Sequence, residues 1–315
     1  MSVVNPANEV LTNLAVARFQ DNANQYVFNR VFTPINVNKT TGDYNVFTTD
    51  DIFRDEAKEL ANGHMAPVID FGVSSATYST KEMGIGVPVT EVDATDYATI
   101  GDLHEAANRI SMTKTMIRAE RKFVSTAFTT GVWTTTKQGG VDFTKFNEYA
   151  SSDPEKIIND YISTMEGLTG RKPNRMTMPS NVARTLMAHP SIKSNFLYST
   201  GGLITERELA ATFGVDEIIV SRSVYHSNAQ GGTATPGFAV PKAILLTYTE
   251  MEADIYSESA GYTFQVDGVM GYNQGFRTIV DDTTSKKSDI VECDYRADFK
   301  VVTADLGVYL YDVIA

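Results

Sequence analysis

The stretch DLHEAANRISMTKTMIRAERKFVSTAFTTG, residues 102–131, decides the fold of this chain. Asp102 can cap or begin a helix, no Gly or Pro interrupts the run up to Thr130, and Gly131 is typical of a helix end. At 1.5 Å per residue, about 29 residues would span roughly 40 Å, which is long for a globular protein. Its mostly apolar stripe at helical spacing consists of Leu103, Ala107, Ile110, Lys114, Ile117, Val124 and Phe128, widened by Met112, Met116 and Phe123.

The polar face of this helix is the most basic element of the chain. A basic face of this kind can contact nucleic-acid phosphates. The alternative, a solvated helix face without a partner, explains the same charges about as well. The whole chain has 27 Lys and Arg against 39 Asp and Glu, a formal net charge of −12. We therefore expect any contact with nucleic acid to be local. The basic residues are Arg109, Lys114, Arg118, Arg121 and Lys122, opposed by Glu105 and Glu120.

Residues before the helix predict an arm followed by a long β-hairpin. In residues 1–30 a thin apolar stripe recurs at near-helical spacing and consists of Val10, Leu14, Ala17, Tyr26 and Val27. It predicts a short helix or an extended arm that lies on the same subunit or a neighbour. Alternating runs at 44–48 and 75–89 predict two strands that flank a polar loop. Because exposed strand edges are normally covered, we expect another chain to cover this hairpin.

Residues after the helix predict a loop over 134–152, a compact α/β region from residue 153, and a mostly β segment over 260–315. Asp153-Pro154 is typical of a helix N-terminus, and Gly170 ends that helix. The residues from Thr205 to Glu208 form a capping box, and the helix that they begin stops at Gly214.

Motifs for catalysis and for cofactor binding are missing. The paired glycines lack the Lys-Ser/Thr of a phosphate-binding loop, and no nucleophile-elbow motif occurs. His104-Glu105 begins a near match to a zinc-protease helix, but Asn108 replaces the second histidine. We therefore expect no enzyme activity, no cofactor and no metal. The alternative from another class is a metal- or nucleotide-dependent enzyme whose site carries no recognised motif. His189 reads as a cation at a helix C-terminus.

Two further features limit the cellular context. The single cysteine, Cys293, can form no internal disulfide, and core packing is its expected role. No run of ~18 apolar residues occurs, and the first residues lack the pattern of a signal peptide. We therefore expect a soluble protein made in a cytoplasm.

Three groups of residues spread over residues 30–250 carry a recognisable order of motifs. The first group is VFTPINV (31–37), Gly42-Asp43-Tyr44 and Phe53-Arg54-Asp55-Glu56-Ala57. The second is PNRMTM (173–178) with His189-Pro190, and the third is LITE (203–206) with FGVDEIIV (213–220). In sequence and order these groups resemble the major capsid proteins of tailed double-stranded DNA bacteriophages. One departure is Thr33, which separates Phe32 from Pro34 where the family often has Phe-Pro.

This resemblance implies the Hong Kong 97-type capsid fold, which is α+β. It implies an N-terminal arm (1–35), an extended hairpin loop (36–97), a peripheral domain with the spine helix (98–152) and an axial α/β domain (153–258). A return β segment of the peripheral domain (259–315) follows, and its last strand can rejoin the axial domain.

The same resemblance implies a structural role in the virion capsid. Such subunits assemble in the host cytoplasm into hexamers and pentamers and enclose the phage double-stranded DNA in an icosahedral shell. The implied partners are further copies, scaffold, portal and decoration proteins, and DNA bound without sequence specificity, with no membrane. An encapsulin-like nanocompartment is the alternative. The implied contacts between subunits are Phe53, Arg54, Asp55 and Glu56, and the implied DNA-facing residues are the five basic helix residues Arg109, Lys114, Arg118, Arg121 and Lys122.

Overall fold

A computed structural model describes residues 8–21, 25–46, 57, 59–60, 65–66, 68, 74–96, 103–196, 204–228, 232–233, 235–250, 258–283 and 287–315. The helices are α1 (Glu9–Asp21), α2 (Glu91–Asp96), α3 (Leu103–Ala127), α4 (Pro154–Thr169), α5 (Ser180–Ala188), α6 (Pro190–Phe196) and α7 (Glu206–Phe213). A 3₁₀ turn covers Ala304–Leu306.

The strands before the α/β region are β1 (Thr33–Val37), β2 (Thr41–Val46), β3 (Ser74–Ser79), β4 (Lys81–Thr90) and β5 (Thr135–Gln138). Those within it are β6 (Arg175–Pro179), β7 (Glu217–Ser221), β8 (Val224–His226), β9 (Pro236–Phe238) and β10 (Ile244–Thr247). The last are β11 (Gly261–Val266), β12 (Phe276–Thr283), β13 (Ser288–Val301) and β14 (Gly307–Tyr311).

The first sheet is built around the 14-residue strand β13. Its N-terminal part pairs antiparallel with both β12 and β4, which therefore lie on opposite edges of it. Its C-terminal part pairs with β11, and β1 adds a parallel strand beyond β11. The predicted long helix is confirmed as α3, which packs against β13 and β4.

The second sheet has the strand order β5-β14-β10-β6-β7. The last strand of the chain, β14, lies between β5 and β10, so the C-terminus is part of the α/β region. The predicted loop over 134–152 is wrong for Thr135–Gln138. These residues lack an alternating pattern and become a strand through parallel pairing with β14.

Both predicted caps of the α/β helices are confirmed. The Asp153 carboxylate accepts a hydrogen bond from Lys156 N (3.3 Å), and Gly170 ends α4 at φ 64°. Thr205 and Glu208 form the reciprocal capping box of α7, with 2.7 Å between Thr205 N and Glu208 Oε2. These local signals set the helix ends because side chains satisfy the free backbone N–H groups there.

The arm packs on its own chain. The buried face of α1 contains Ala15, Val16 and Phe19, whereas Val10 is 77% exposed and Ala17 is exposed, so the predicted arm stripe is wrong within the helix. The end of the stripe, Tyr26 and Val27, is buried. The rings of Phe19 and Phe276 lie 5.0 Å apart. Tertiary contact with β12 selects the buried face here, because α1 itself has only weak amphipathic patterning.

The buried face of α3 also differs from the predicted stripe. Ile110 is 49% exposed and Lys114 is exposed, while Asn108, Ser111, Thr115 and Glu120 are buried. The hydroxyls bond to the backbone of β13: Cys293 N donates to Ser111 Oγ (2.9 Å), and Thr115 Oγ1 donates to Cys293 O (2.8 Å). Polar residues can occupy a buried face when each finds a partner, and an apolar periodicity does not detect them.

The predicted hairpin is confirmed at its base, where β2 and β3 pair antiparallel from Thr41 opposite Ser79 to Val46 opposite Ser74. The second predicted strand, 75–89, is wrong from Lys81 onward, because those residues form β4 and pair with β13 instead. The Tyr78 ring stacks on Phe264 of β11 at 4.5 Å, which fixes this base against the first sheet. The far part of the hairpin, including Phe53, Arg54, Asp55 and Glu56, lies outside the described residues.

Gly84 of β4 provides a test of the sheet packing. A methyl group on Gly84 would lie 1.9 Å from Asp294 Oδ1, and Arg277 holds that buried carboxylate at 2.7 Å. We expect Gly84→Ala to lower the free energy of unfolding by about 1–3 kcal/mol, measured by urea denaturation of the subunit. Gly167→Ala, in α4 with open space around it, is the control and should leave stability equal or higher. If Gly84→Ala were as stable as Gly167→Ala, the close packing of β4 against Asp294 would be contradicted.

Candidate functional site

The five basic residues of α3 are all exposed, but they do not share one face. Lys114, Arg118 and Lys122 follow one another four residues apart and form a single row. Arg109 precedes Arg118 by two and a half helical turns and therefore lies on the opposite side of the helix. The guanidinium of Arg121 lies 4.6 Å above the ring of Tyr225. The structure thus brings three of the five predicted residues together.

This row borders a groove between α3 and the strands β4 and β13. The groove has a volume of about 640 Å³ and continues into a smaller one of about 400 Å³. Met83, Phe299 and Val301 supply apolar surface in it. We call it the basic groove, and its cations are Lys81, Lys114, Arg118, Lys122 and Lys300.

Two carboxylates in the basic groove already have partners. Glu82 is bound by Arg296 at 3.1 Å and by Arg277 at 3.0 Å. Asp298 lies 3.5 Å from the ammonium of Lys300 and accepts a hydrogen bond from Ser79 N. In the part of the chain that the structure describes, no ion pair engages the other four cations of the groove. The groove is therefore a locally positive surface on an acidic protein.

A second site lies inside the molecule, at the carboxylate of Glu120 on α3. Its Oε2 accepts hydrogen bonds from Val27 N (2.9 Å) and Phe28 N (3.0 Å), which follow the arm helix. Its Oε1 accepts from the hydroxyls of Ser223 (2.9 Å) and Ser221 (3.3 Å), at the end of β7. One side chain therefore joins the arm, the long helix and the α/β region.

Glu120 is fully buried, and burial raises its pKa from the ordinary value near 4.5 to about 7, although its four hydrogen bonds lower it. The sequence prediction placed Glu120 on the solvated face. Its position between Met116 and Phe123, four residues after one and three before the other, was the signal for a buried location.

Two further residues that the sequence analysis singled out, His189 and Cys293, lie inside the protein and pack there. Ser191 N donates to His189 Nδ1 (3.2 Å), and His189 Nε2 lies 3.0 Å from Ser152 Oγ. Because His189 is buried, its pKa is lowered, and the predicted helix-terminal cation is wrong. Cys293 is buried as predicted, which raises the pKa of its thiol to about 12.

Two other kinds of site are absent from the described residues. No group of three or more His, Cys, Asp or Glu side chains there is arranged to hold a metal ion. No helix among those residues has the length and apolar character needed to cross a membrane.

The chain matches a curated protein over part of its length, and no protein-family model matches it. It is 30% identical over 120 residues to the major capsid protein of Burkholderia phage BcepMu, which covers 38% of this chain and 39% of that protein. The match therefore spans less than half of the curated relative.

Solved structures match over almost the full chain. A phage-related protein from Bordetella bronchiseptica RB50 aligns with a TM-score of 0.74 at 18% identity, over 98% of both chains. The capsid of Myoviridae phage XM1 aligns at 0.54 and 12% identity, over 90% of this chain and 91% of that one. The SrpI encapsulin from Synechococcus elongatus PCC 7942 aligns at 0.57 and 14%, over 91% and 87%.

These likenesses define the class of fold: the chain has the α+β Hong Kong 97-type capsid fold, as its resemblance to phage major capsid proteins implies. The resemblance to phage major capsid proteins is likewise confirmed, because the matched curated protein is one of them. The predicted domain boundaries, the hairpin contact residues and the DNA-facing residues stay predictions.

Replacing Glu120 tests the internal junction. Glu120→Ala leaves two buried N–H groups and two hydroxyls without their acceptor, so we expect a loss of roughly 3–5 kcal/mol in unfolding free energy. Glu120→Gln keeps the shape and can bond to both groups of donors, because serine hydroxyls also accept. It should therefore fold normally.

The pH dependence of the unfolding free energy distinguishes the effect of the ionisable group of Glu120 from the effect of its shape. Because the folded protein holds the Glu120 proton up to about pH 7 and the unfolded chain releases it near 4.5, the wild type should lose about 2–3 kcal/mol as the pH rises between these values. Glu120→Gln should lack this part of the dependence, as measured by urea midpoints from pH 4.5 to 8. Identical pH profiles for the wild type and this variant would contradict the account.

Proposed function

We propose that this chain is a non-enzymatic major capsid protein that assembles into hexamers and pentamers of an icosahedral shell around phage double-stranded DNA. The observation that carries the proposal is the likeness of fold to a phage-related protein over 98% of the chain, together with the sequence match to a phage major capsid protein. The proposed function needs no catalytic residues. It depends on the surfaces through which copies of the chain contact one another.

The hairpin supplies the proposed means of linking copies. Its base is held by the pairing of β2 with β3 and by the stack of Tyr78 on Phe264. Residues 47–73 join the two strands. A segment of this length is too long for an ordinary hairpin turn, and it can reach a neighbouring subunit while its base stays fixed.

The proposed location is the virion capsid, with assembly in the host cytoplasm. The proposed partners are further copies, packaged DNA contacted without sequence specificity, and scaffold, portal and decoration proteins. Since the chain is acidic overall, DNA contact would rest on exposed cations such as Arg109.

An encapsulin-like shell is the second candidate, favoured by the likeness to the SrpI encapsulin at a TM-score of 0.57. The two candidate functions differ in what the particles enclose. Particles that carry nucleic acid support the capsid, and particles that carry a protein cargo and no genome support the nanocompartment.

Shortening the hairpin tests the assembly role. Replacing residues 48–72 with an Asn-Gly turn keeps the β2–β3 base, because this dipeptide suits a tight hairpin. We expect rings or free subunits and no closed shells, by electron microscopy and light scattering beside the wild type. Near-UV circular dichroism controls for folding. Closed shells from the shortened chain would contradict the proposed role of the hairpin.

A further inference from the structure

The α/β region is joined to α3 at two places that differ in character, and the first is aromatic. At the C-terminal end of the helix, the rings of Phe128 and Tyr309 lie 6.0 Å apart, and Tyr309 OH donates a hydrogen bond to Phe128 O (3.0 Å). Trp133 packs against Gly307 at the start of β14. Burial raises the pKa of Tyr309 to about 12, so this aromatic joint contains no group that ionises near neutral pH.

The second joint is polar. Residues 221–225, which we call the latch segment, contact one turn of α3. The two serine hydroxyls of the latch segment donate to the carboxylate of Glu120 at 2.9 and 3.3 Å, and the guanidinium of Arg121 lies 4.6 Å above the ring of Tyr225. Along the helix axis this turn is about 12 Å from the aromatic joint. The α/β region is thus held to α3 at two separate points.

The arm completes the polar joint from the other side, but aromatic packing fixes the arm itself. The ring of Phe28 lies 5.4 Å from that of Tyr295 in the first sheet, and backbone N–H groups of the arm bind Glu120. The latch segment contacts the arm through a backbone hydrogen bond from Arg222 N to Gln25 O (3.2 Å). The contacts that join the latch segment to α3 and to the arm are therefore polar, whereas the arm belongs to the core of the first sheet.

A negative charge on Glu120 has no counter-ion in the described part of the chain. Its hydrogen-bond partners are two backbone N–H groups and two serine hydroxyls, all of them neutral. A protonated carboxyl group can donate to a serine hydroxyl and stay satisfied. The ionised group is a buried charge, which is costly without a cation beside it. Cations of the neighbouring elements are engaged elsewhere, in the ion pairs Arg30–Glu217 and Arg222–Glu206.

The other ionisable groups on the surrounding elements do not supply the missing positive charge. Burial raises the pKa of Tyr26, and the charge of Glu120 raises it further, so this phenol stays neutral. Arg175 Nη1 donates to Val31 O (3.0 Å), and His226 is exposed at the end of β8. Loss of the Glu120 proton therefore favours any opening that admits water to the carboxylate.

We propose that Glu120 is a proton-controlled latch between α3 and the α/β region. While Glu120 keeps its proton, the latch segment stays closed on α3. When Glu120 loses the proton, the latch segment opens and the α/β region pivots about the aromatic joint. This inference does not depend on the proposed function, because the latch lies within one chain.

Hydrogen exchange of the full-length chain at pH 6 and pH 8, resolved by peptide and corrected for intrinsic rates, tests the latch. The pKa of Glu120 is about 7 in the closed state and near its ordinary value of about 4.5 once the carboxylate is hydrated. The opening equilibrium of the latch segment should therefore rise roughly tenfold between these two pH values. The amides of β13 and β14 should keep their protection.

Two variants separate Glu120 from other titrating groups. Glu120→Gln keeps the shape of the side chain and cannot ionise, so its latch segment should show the same corrected protection at both pH values. His226→Gln removes the exposed titratable group beside the latch segment. It is the control and should keep the tenfold change of the wild type.

Each outcome supports or overturns the latch. A change confined to the latch segment, absent in Glu120→Gln and present in His226→Gln, supports it. Unchanged protection in the wild type overturns it, and so does a change that Glu120→Gln retains. Loss of protection spread evenly over β13 and β14 overturns it in favour of general destabilisation. If Glu120→Gln does not fold, the contrast between the latch segment and β13 in the wild type and in His226→Gln decides.

Discussion

The buried carboxylate of Glu120 is the interaction on which the rest of the structure depends. It accepts two backbone N–H groups from the arm and two hydroxyls from the α/β region, while its own backbone belongs to α3. A buried carboxyl group with four hydrogen-bond partners fixes orientation as well as distance, because loss of any partner leaves a buried polar group unsatisfied. The arm, the long helix and the second sheet therefore hold one relative arrangement, and both the hairpin base and the basic groove are built on it.

The first sheet connects the long helix α3 to the surface of the protein. Ser111 and Thr115 of α3 bind the backbone of Cys293 in β13, and β13 carries β4 along its edge. The basic groove lies where α3, β4 and β13 meet, and the hairpin leaves the body of the protein beside it. In the proposed shell, every copy would therefore present the hairpin base and the basic groove in the same arrangement.

Local and periodic signals in the sequence predicted much of this structure. The uninterrupted run to Thr130 predicted α3, Asp153 and Thr205 predicted helix starts, and alternation around Tyr44 predicted the hairpin base. Most failures have a common cause: Ala15, Ser111 and the strand β5 are placed by partners distant in sequence, which no local pattern contains. Glu120 differs, because its helical spacing from Met116 and Phe123 indicates the buried face, while its hydrogen-bond partners are distant in sequence. Of the five basic residues named from the sequence, only helical geometry and the neighbouring strands distinguish Lys114, Arg118 and Lys122 from Arg109 and Arg121.

The central claim, that this fold serves a shell built from many copies, is tested most directly by cryo-electron microscopy of the wild-type chain, alone and coexpressed with the neighbouring genes of its source. The account predicts closed particles made of rings of five and six copies, with the hairpin of each copy on its neighbour. A chain that stays a monomer of 34.6 kDa under both conditions would contradict it.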